Sequence, residues 1–184
     1  MSSRIACISL VLLFGAAPAA AASWSLGTQF GIASISSVKD RAGSSTAVGW
    51  PANALTYEPG LRLAVGNARH TRDVTLDSGW FLLDEAGSTL SLFTSMASYQ
   101  HVVRPEWYWS PFANAGVGMY REDAATRTHT SVRFGGGIGM RHVVRDDHGA
   151  LRVELRYDHL DGDGDSGRPG LNTKGLRFGF DLWF

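Results

Sequence analysis

The sequence predicts an all-β protein whose strands close into a barrel. Three observations carry that prediction. Apolar residues recur at every second position in eight segments of roughly ten residues each. No later stretch has helical periodicity, and none approaches the ~18 consecutive apolar residues of a membrane helix. Glycine is abundant, 22 of 184 residues against a usual ~7%, and it gathers on the polar parity of the segments.

The segments run as follows. Trp24, Leu26, Phe30 and Ile32 share one parity, with Ser25, Gly27, Gln29 and Gly31 on the other. Leu61, Leu63 and Val65 alternate with Arg62, Ala64 and Gly66. Val74, Leu76, Trp80 and Leu82 alternate with Asp73, Thr75, Asp77 and Gly79. Leu90, Leu92 and Met96 follow less regularly. Ala113, Ala115, Val117 and Met119 alternate with Asn114, Gly116 and Gly118. Val132, Phe134, Ile138 and Met140 alternate with Arg133, Gly135, Gly137, Gly139 and Arg141. Leu151, Val153, Leu155 and Tyr157 alternate with Arg152, Glu154, Arg156 and Asp158. Leu176, Phe178, Phe180, Leu182 and Phe184 alternate with Arg177, Gly179 and Asp181. Side chains of a strand point to opposite faces, so each segment presents one apolar and one polar face.

Residues 1–22 read as a cleaved secretory signal, leaving a barrel domain at 23–184. Arg4 precedes an apolar core, Ile5 to Phe14, and Ala20 and Ala22 have the spacing of a signal-peptidase site. The chain has 17 basic and 17 acidic residues, so it lacks the positive footprint of a nucleic-acid binder. Its one cysteine, Cys7, lies in the signal, which excludes a disulfide framework and a cysteine-built metal site.

Alternation alone does not separate a membrane barrel from a soluble one with an apolar interior. Export, the girdle of aromatics at segment ends and the glycine-rich polar face favour the membrane. The girdle comprises Trp24, Trp107, Tyr108, Trp109 and Trp183 at one rim, with Trp80 and Phe81 near the other. Energy then assigns the faces. A lysine or arginine facing lipid at the bilayer midplane costs ~2–4 kcal/mol. The charged parity therefore faces the lumen, where Arg62, Asp73, Asp77, Arg133, Arg141, Arg152, Glu154, Arg156, Asp158, Arg177 and Asp181 are expected to form an ion network. An eight-stranded interior is just wide enough for side chains to fill it, so a plugged core is expected and an open pore is not.

Insertion by the outer-membrane route puts both ends of the barrel in the periplasm. Periplasmic turns then fall near 67–71, 102–107 and 144–149, and outer loops near 35–59, 84–88, 121–131 and 160–173. The first loop is long enough for another hairpin, which would make ten strands.

The ending GLRFGFDLWF resembles the terminal strand read by the outer-membrane assembly machinery, with Phe178, Phe180, Leu182 and Phe184 as the insertion signal. SPFANAGVGMY, VRFGGGIGMRHVV and LRVELRYDHL resemble the last strands of small outer-membrane barrels of the OmpA, OmpX and OmpW type. The resemblance extends over 24–184 in pattern and is carried in words from about 111 onward. It implies an eight-stranded antiparallel up-and-down transmembrane β-barrel. Members of that superfamily include anchors, adhesion-related proteins, small-solute channels and a few lipid enzymes, so the fold does not by itself fix a function.

Candidate chemistry is sparse. YDHLDGDGDSGRPGLN is faintly similar to the late strand of PagL-type lipid A deacylases, whose triad is His-x-Ser with a following Glu. His159 matches the histidine, but Asp161 occupies the serine position and Asn172 stands where the glutamate is expected. An aspartate cannot replace the activated hydroxyl of acyl transfer, and nothing places the nearby Ser166. Asp161, Asp163 and Asp165 supply oxygen at every second residue, as a hard cation such as calcium requires. The loop lacks the glycine and glutamate of an EF-hand, so a solvated turn is the simpler reading. GGGIG at 135–139 lies inside a strand with no helix following, so it is no phosphate cradle. His70, His101, His129, His142 and His148 have no metal-binding spacing.

The expectation is a monomeric outer-membrane barrel acting as a structural or loop-displaying scaffold, without a cofactor. Its expected partners are outer-membrane lipids including lipopolysaccharide, and the assembly machinery during insertion. A narrow channel for small solutes is the alternative, and a lipid A acyl hydrolase the second alternative.

Overall fold

The structure is a computed structural model, and it describes residues 22–37, 44–49, 60–85, 88–124, 127–144, 148–162 and 170–184. Residues 1–21 of the proposed signal at 1–22, and Asp163, Asp165 and Ser166, lie outside the described residues.

The strands are β1 (Ser23–Ser37), β2 (Ser44–Gly49), β3 (Gly60–Gly66), β4 (Arg72–Glu85), β5 (Ser88–Val102), β6 (Ser110–Ala124), β7 (Arg127–Val144), β8 (Gly149–Leu160) and β9 (Leu171–Trp183). From β3 onward, each strand pairs antiparallel with the next. β1 closes on β9 from Ser25 opposite Trp183 to Ser37 opposite Leu171. Closure joins the first and last wall strands, as a lipid environment demands of a β-structure, and among the described residues the short β2 is paired on one edge alone, to β1.

The barrel has eight wall positions, and the ten-stranded alternative is not realised. A strand has two edges, and β9 takes one edge of β1 along nearly its whole length. β2 and β3 therefore share the other. Gly31 is opposite Gly49 on β2, whereas Gln29 is opposite Gly60 on β3. Two residues along β1 correspond to eleven along its partner, so β2 and β3 are two halves of one wall strand. The first outer segment, expected as a loop over 35–59, thus contributes β2 to the wall.

The two faces differ in kind. Outward lie Leu26, Phe30 and Ile32 on β1, Leu61 and Leu63 on β3, Leu76 and Trp80 on β4, and Val117 and Met119 on β6. Val132, Phe134, Ile138 and Met140 on β7, Leu151 and Leu155 on β8, and Phe180 and Leu182 on β9 complete the belt. Inward lie most of the charged residues of these strands, and eleven of them are buried; Arg72, Arg121, Asp123 and Lys174 lie on the outward rows. A water-soluble protein would have the opposite arrangement. Toward the end that carries Ser34, the outward row changes from Ile32 to Ser34 on β1 and from Leu176 to Lys174 on β9. We call this the outer end, and the end carrying Trp24 and Trp183 the inner end.

Three expectations need correction. Met96, expected on the apolar parity of the fourth segment, faces the lumen at 1% exposed, and its sulfur accepts from Arg156. The third outer loop, expected over 121–131, is a tight hairpin, because β6 continues to Ala124 and β7 begins at Arg127. Here Arg121 Nε donates to Asp123 at 2.8 Å, beyond the apolar belt. That hydrogen bond, together with one from Thr128, holds the Asp123 carboxyl below its usual range. Trp183 belongs to the inward parity. Its ring lies tilted against His70, with centroids 4.8 Å apart, and beneath the Arg141 guanidinium, so it is not part of the lipid-facing girdle.

The glycine-rich inner parity has a steric cause. A Cβ on Gly135 would come within 2.1 Å of the Asp158 carboxylate, and one on Gly137 within 2.3 Å of Glu154. Glycine on β7 makes room for the carboxylates of β8. Gly137→Val is expected to displace Glu154 and destabilise the barrel by ~1–3 kcal/mol, the usual cost of overpacking. Urea titration of the folded barrel checks this; an unchanged midpoint would contradict the steric account.

Candidate functional site

Three clusters carry polar chemistry: the lumen, its inner mouth and the outer rim.

In the lumen, all eleven residues of the sequence-predicted network are buried, six arginines and five carboxylates. Asp158 is at the centre. It accepts from Arg133 Nη2 at 3.1 Å and Arg156 Nε at 2.8 Å, and Arg177 Nη2 lies 3.6 Å away. Glu154 meets Arg156 at 3.2 Å and Arg152 at 3.9 Å. Arg152 Nε donates to Asp181 at 2.5 Å, and Arg62 bridges Asp181 and Asp77 at 3.7 and 3.5 Å. These contacts tie β3, β4, β7, β8 and β9 across the interior. Neutral groups complete the network: Asn114 joins Glu154 and Arg156, Thr94 accepts from Arg133, and Gln100 accepts from Arg62. The period-two pattern put these eleven residues on one face. It could not say which partners meet, because inter-strand register and barrel tilt decide that. Gln100 and Thr94 fell in the irregular fourth segment, where alternation gave little signal.

The inner mouth was missed in the sequence. His70 lies in the turn between β3 and β4, yet it is 1% exposed. Asn67 shapes this turn: its side-chain oxygen accepts from Thr71 N at 2.7 Å, and its carbonyl accepts from His70 N at 2.7 Å. His70 adopts a left-handed backbone, with φ of 48°, which costs a residue with a Cβ some energy. The gain is a side chain turned into the mouth. Its Nδ1 meets Asp73 at 3.0 Å, its Nε2 meets Ser23 Oγ at 2.9 Å, and its carbonyl accepts from Arg141.

Ser23, His70 and Asp73 have the order of a serine-hydrolase relay, but they do not form a working one. Ser23 Oγ also donates to the Phe184 carbonyl at 3.0 Å, and the Trp24 N–H donates to that same oxygen. The hydroxyl and the neighbouring donor are thus used to fasten β1 to β9, and no oxyanion-binding pair is formed. His70→Ala leaves Asp73 and Ser23 without this partner and is expected to cost ~1–3 kcal/mol. Denaturant midpoints of the two proteins check this, and equal midpoints would contradict the fastening role.

At the outer rim, strand pairing sets His159 opposite Asn172. His159 Nδ1 lies 2.7 Å from Asn172 Oδ1, and Nε2 lies 3.3 Å from Asp161. Tyr157 donates to the same Asn172 oxygen at 2.8 Å, and the Phe134 ring lies tilted against the imidazole with centroids 4.9 Å apart. The structure thus brings together the three residues that the deacylase comparison picked out. The place of the nucleophile holds a carboxylate, so the line Asn172–His159–Asp161 has no group to attack an ester. Among the described residues, no cluster of three metal-binding side chains occurs. Phe180, Leu182 and Phe184 face outward and exposed, with Phe178 in the same row.

Closed eight-stranded topology, an apolar outer belt and an ion-paired lumen define the class: a membrane β-barrel with the fold of the small outer-membrane barrels. Comparison with solved structures agrees. Neisserial surface protein A (NspA) superposes with a TM-score of 0.61 at 16% identity, covering 88% of this chain and 98% of its own. The outer membrane protein OprG from Pseudomonas aeruginosa gives a TM-score of 0.48 at 13% identity, over 90% and 96% of the two chains, a likeness too weak to add to that agreement. No family model and no curated protein matches the sequence.

Proposed function

We propose that this protein is an outer-membrane barrel, exported by a cleaved signal and acting as a structural scaffold that displays its outer loops. The observation that carries the reading is the filled lumen. Asp158, Glu154 and four arginines, Arg133, Arg152, Arg156 and Arg177, cross-link the interior, and each is at most 4% exposed. Ion transit would require breaking several buried pairs together. Breaking one such pair typically costs ~3–5 kcal/mol. Phe178, Phe180, Leu182 and Phe184 serve in this reading as the signal for assembly, and lipopolysaccharide surrounds the outer half of the belt.

Single-channel recording of the refolded barrel in planar bilayers tests the proposal. The expected result is no stable conductance. Incubation with lipid A is expected to leave its acyl chains intact, with wild type and His159→Ala indistinguishable. Discrete openings would replace the scaffold reading with the channel reading, and His159-dependent deacylation would replace it with the enzyme.

A further inference from the structure

The outer wall carries a groove of about 860 Å³ across β6, β7, β8, β9 and β1. It is deepest where small outward residues replace large ones, at Ala113 and Gly136. Ile138, Leu155, Leu176 and Ile32 line it. Gly136 is opposite both Ala115 on β6 and Tyr157 on β8, so the notch spans two strand pairs.

The groove is not apolar throughout. At its outer edge stand Lys174 and Tyr157, which are opposite each other in the β8–β9 register. Lys174 is exposed on the outward face, at the step where the β9 row leaves the apolar belt. No described carboxylate forms an ion pair with it, whereas Arg62, Arg133, Arg152, Arg156 and Arg177 in the lumen each have a carboxylate neighbour. Tyr157, Asn172 and His159 form a hydrogen-bonded shelf beside it. A cation at the polar–apolar boundary, with a hydrogen-bonding shelf above and an apolar furrow below, matches an amphiphile with an anionic head and acyl tails.

We propose that this groove holds one anionic, phosphorylated lipid of the outer leaflet, its acyl chain over Gly136 and its phosphate on Lys174, and that a zwitterionic phospholipid does not replace it. The proposal does not depend on the loop-display role; it needs only the membrane orientation of the wall. A second copy of this chain is the weaker occupant, because a symmetric contact would bring two Lys174 ammonium groups toward one another.

Native mass spectrometry of the whole folded barrel, released from micelles containing bisphosphorylated lipid A, tests it. Wild type is expected to retain one lipid A and to retain phosphatidylcholine at least fivefold less. Lys174→Gln is expected to lower lipid A occupancy at least fivefold. Ala113→Trp, which fills the furrow from outside the wall, should do the same. Ser78→Trp, an outward change on β4, should leave occupancy unchanged. Each variant is first checked for the heat-modifiable gel shift of a folded barrel, and Ile138→Trp replaces Ala113→Trp if that protein fails to fold. Equal retention of both lipids, equal occupancy in Lys174→Gln and wild type, or a lipid-free dimer would overturn the proposal. So would release of lipid A by millimolar inorganic phosphate, which would mark a simple phosphate site.

Discussion

Asp158→Ala is expected to lower the unfolding free energy of the barrel by ~3–5 kcal/mol, the usual penalty for removing one partner of a buried ion pair. Asp158 is fully buried and is the shared anion of Arg133, Arg156 and Arg177. Its removal leaves three guanidinium groups facing one another in a confined, poorly hydrated space. Asp158→Asn keeps the shape and some hydrogen bonding but not the charge, and should fall between the two. Asp123→Ala, in the exposed pair with Arg121 beyond the belt, should leave the unfolding midpoint nearly unchanged, because water screens the pair. Urea unfolding in lipid vesicles, followed by tryptophan fluorescence, checks all three. Equal midpoints for Asp158→Ala and wild type would show that the lumen network does not hold the wall together.

Leu155→Arg is expected to cost ~2–4 kcal/mol in vesicles, because the outward face at mid-belt meets hydrocarbon. Leu155 is 60% exposed and lies between Val153 and Tyr157 on the outward row of β8. Ser34→Arg, at the outer boundary, should cost only ~0–1 kcal/mol, since penalties fall toward the interface. The contrast is diagnostic. On a water-facing surface both substitutions would be nearly neutral, within about 0.5 kcal/mol. Two small and similar effects would therefore contradict the membrane orientation.

Much of this architecture is legible in the sequence because strand geometry is periodic. Arg152, Glu154, Arg156 and Asp158 occupy one parity of a single strand, and the cost of charge in lipid is enough to turn that parity inward. Leu176 to Leu182 show the same pattern from the apolar side. Where periodicity stops, legibility stops with it. His70 sits in a turn, and its burial depends on the Asn67 side chain and a left-handed backbone, neither of which leaves a repeating signal. Trp183 looks like a girdle residue by type, but its parity places it against His70 and Arg141. The division of one wall strand into β2 and β3 is a matter of register with β1, and a single sequence does not state register. The meeting of His159 with Asn172 is also a cross-strand event, 13 residues apart in the chain.

Site-directed spin labelling tests the central claim, that the apolar face meets lipid and the charged face meets itself. The one cysteine of the sequence, Cys7, lies in the proposed signal, so single cysteines at Ile138, Leu151, Leu155 and Leu176 of the 23–184 barrel can be labelled individually. The account predicts that these positions in bilayers are accessible to oxygen and shielded from a water-soluble nickel complex, whereas a label at Asp161 shows the reverse. Nickel access at all four outward positions, equal to that at Asp161, would contradict it and make this a barrel that faces water.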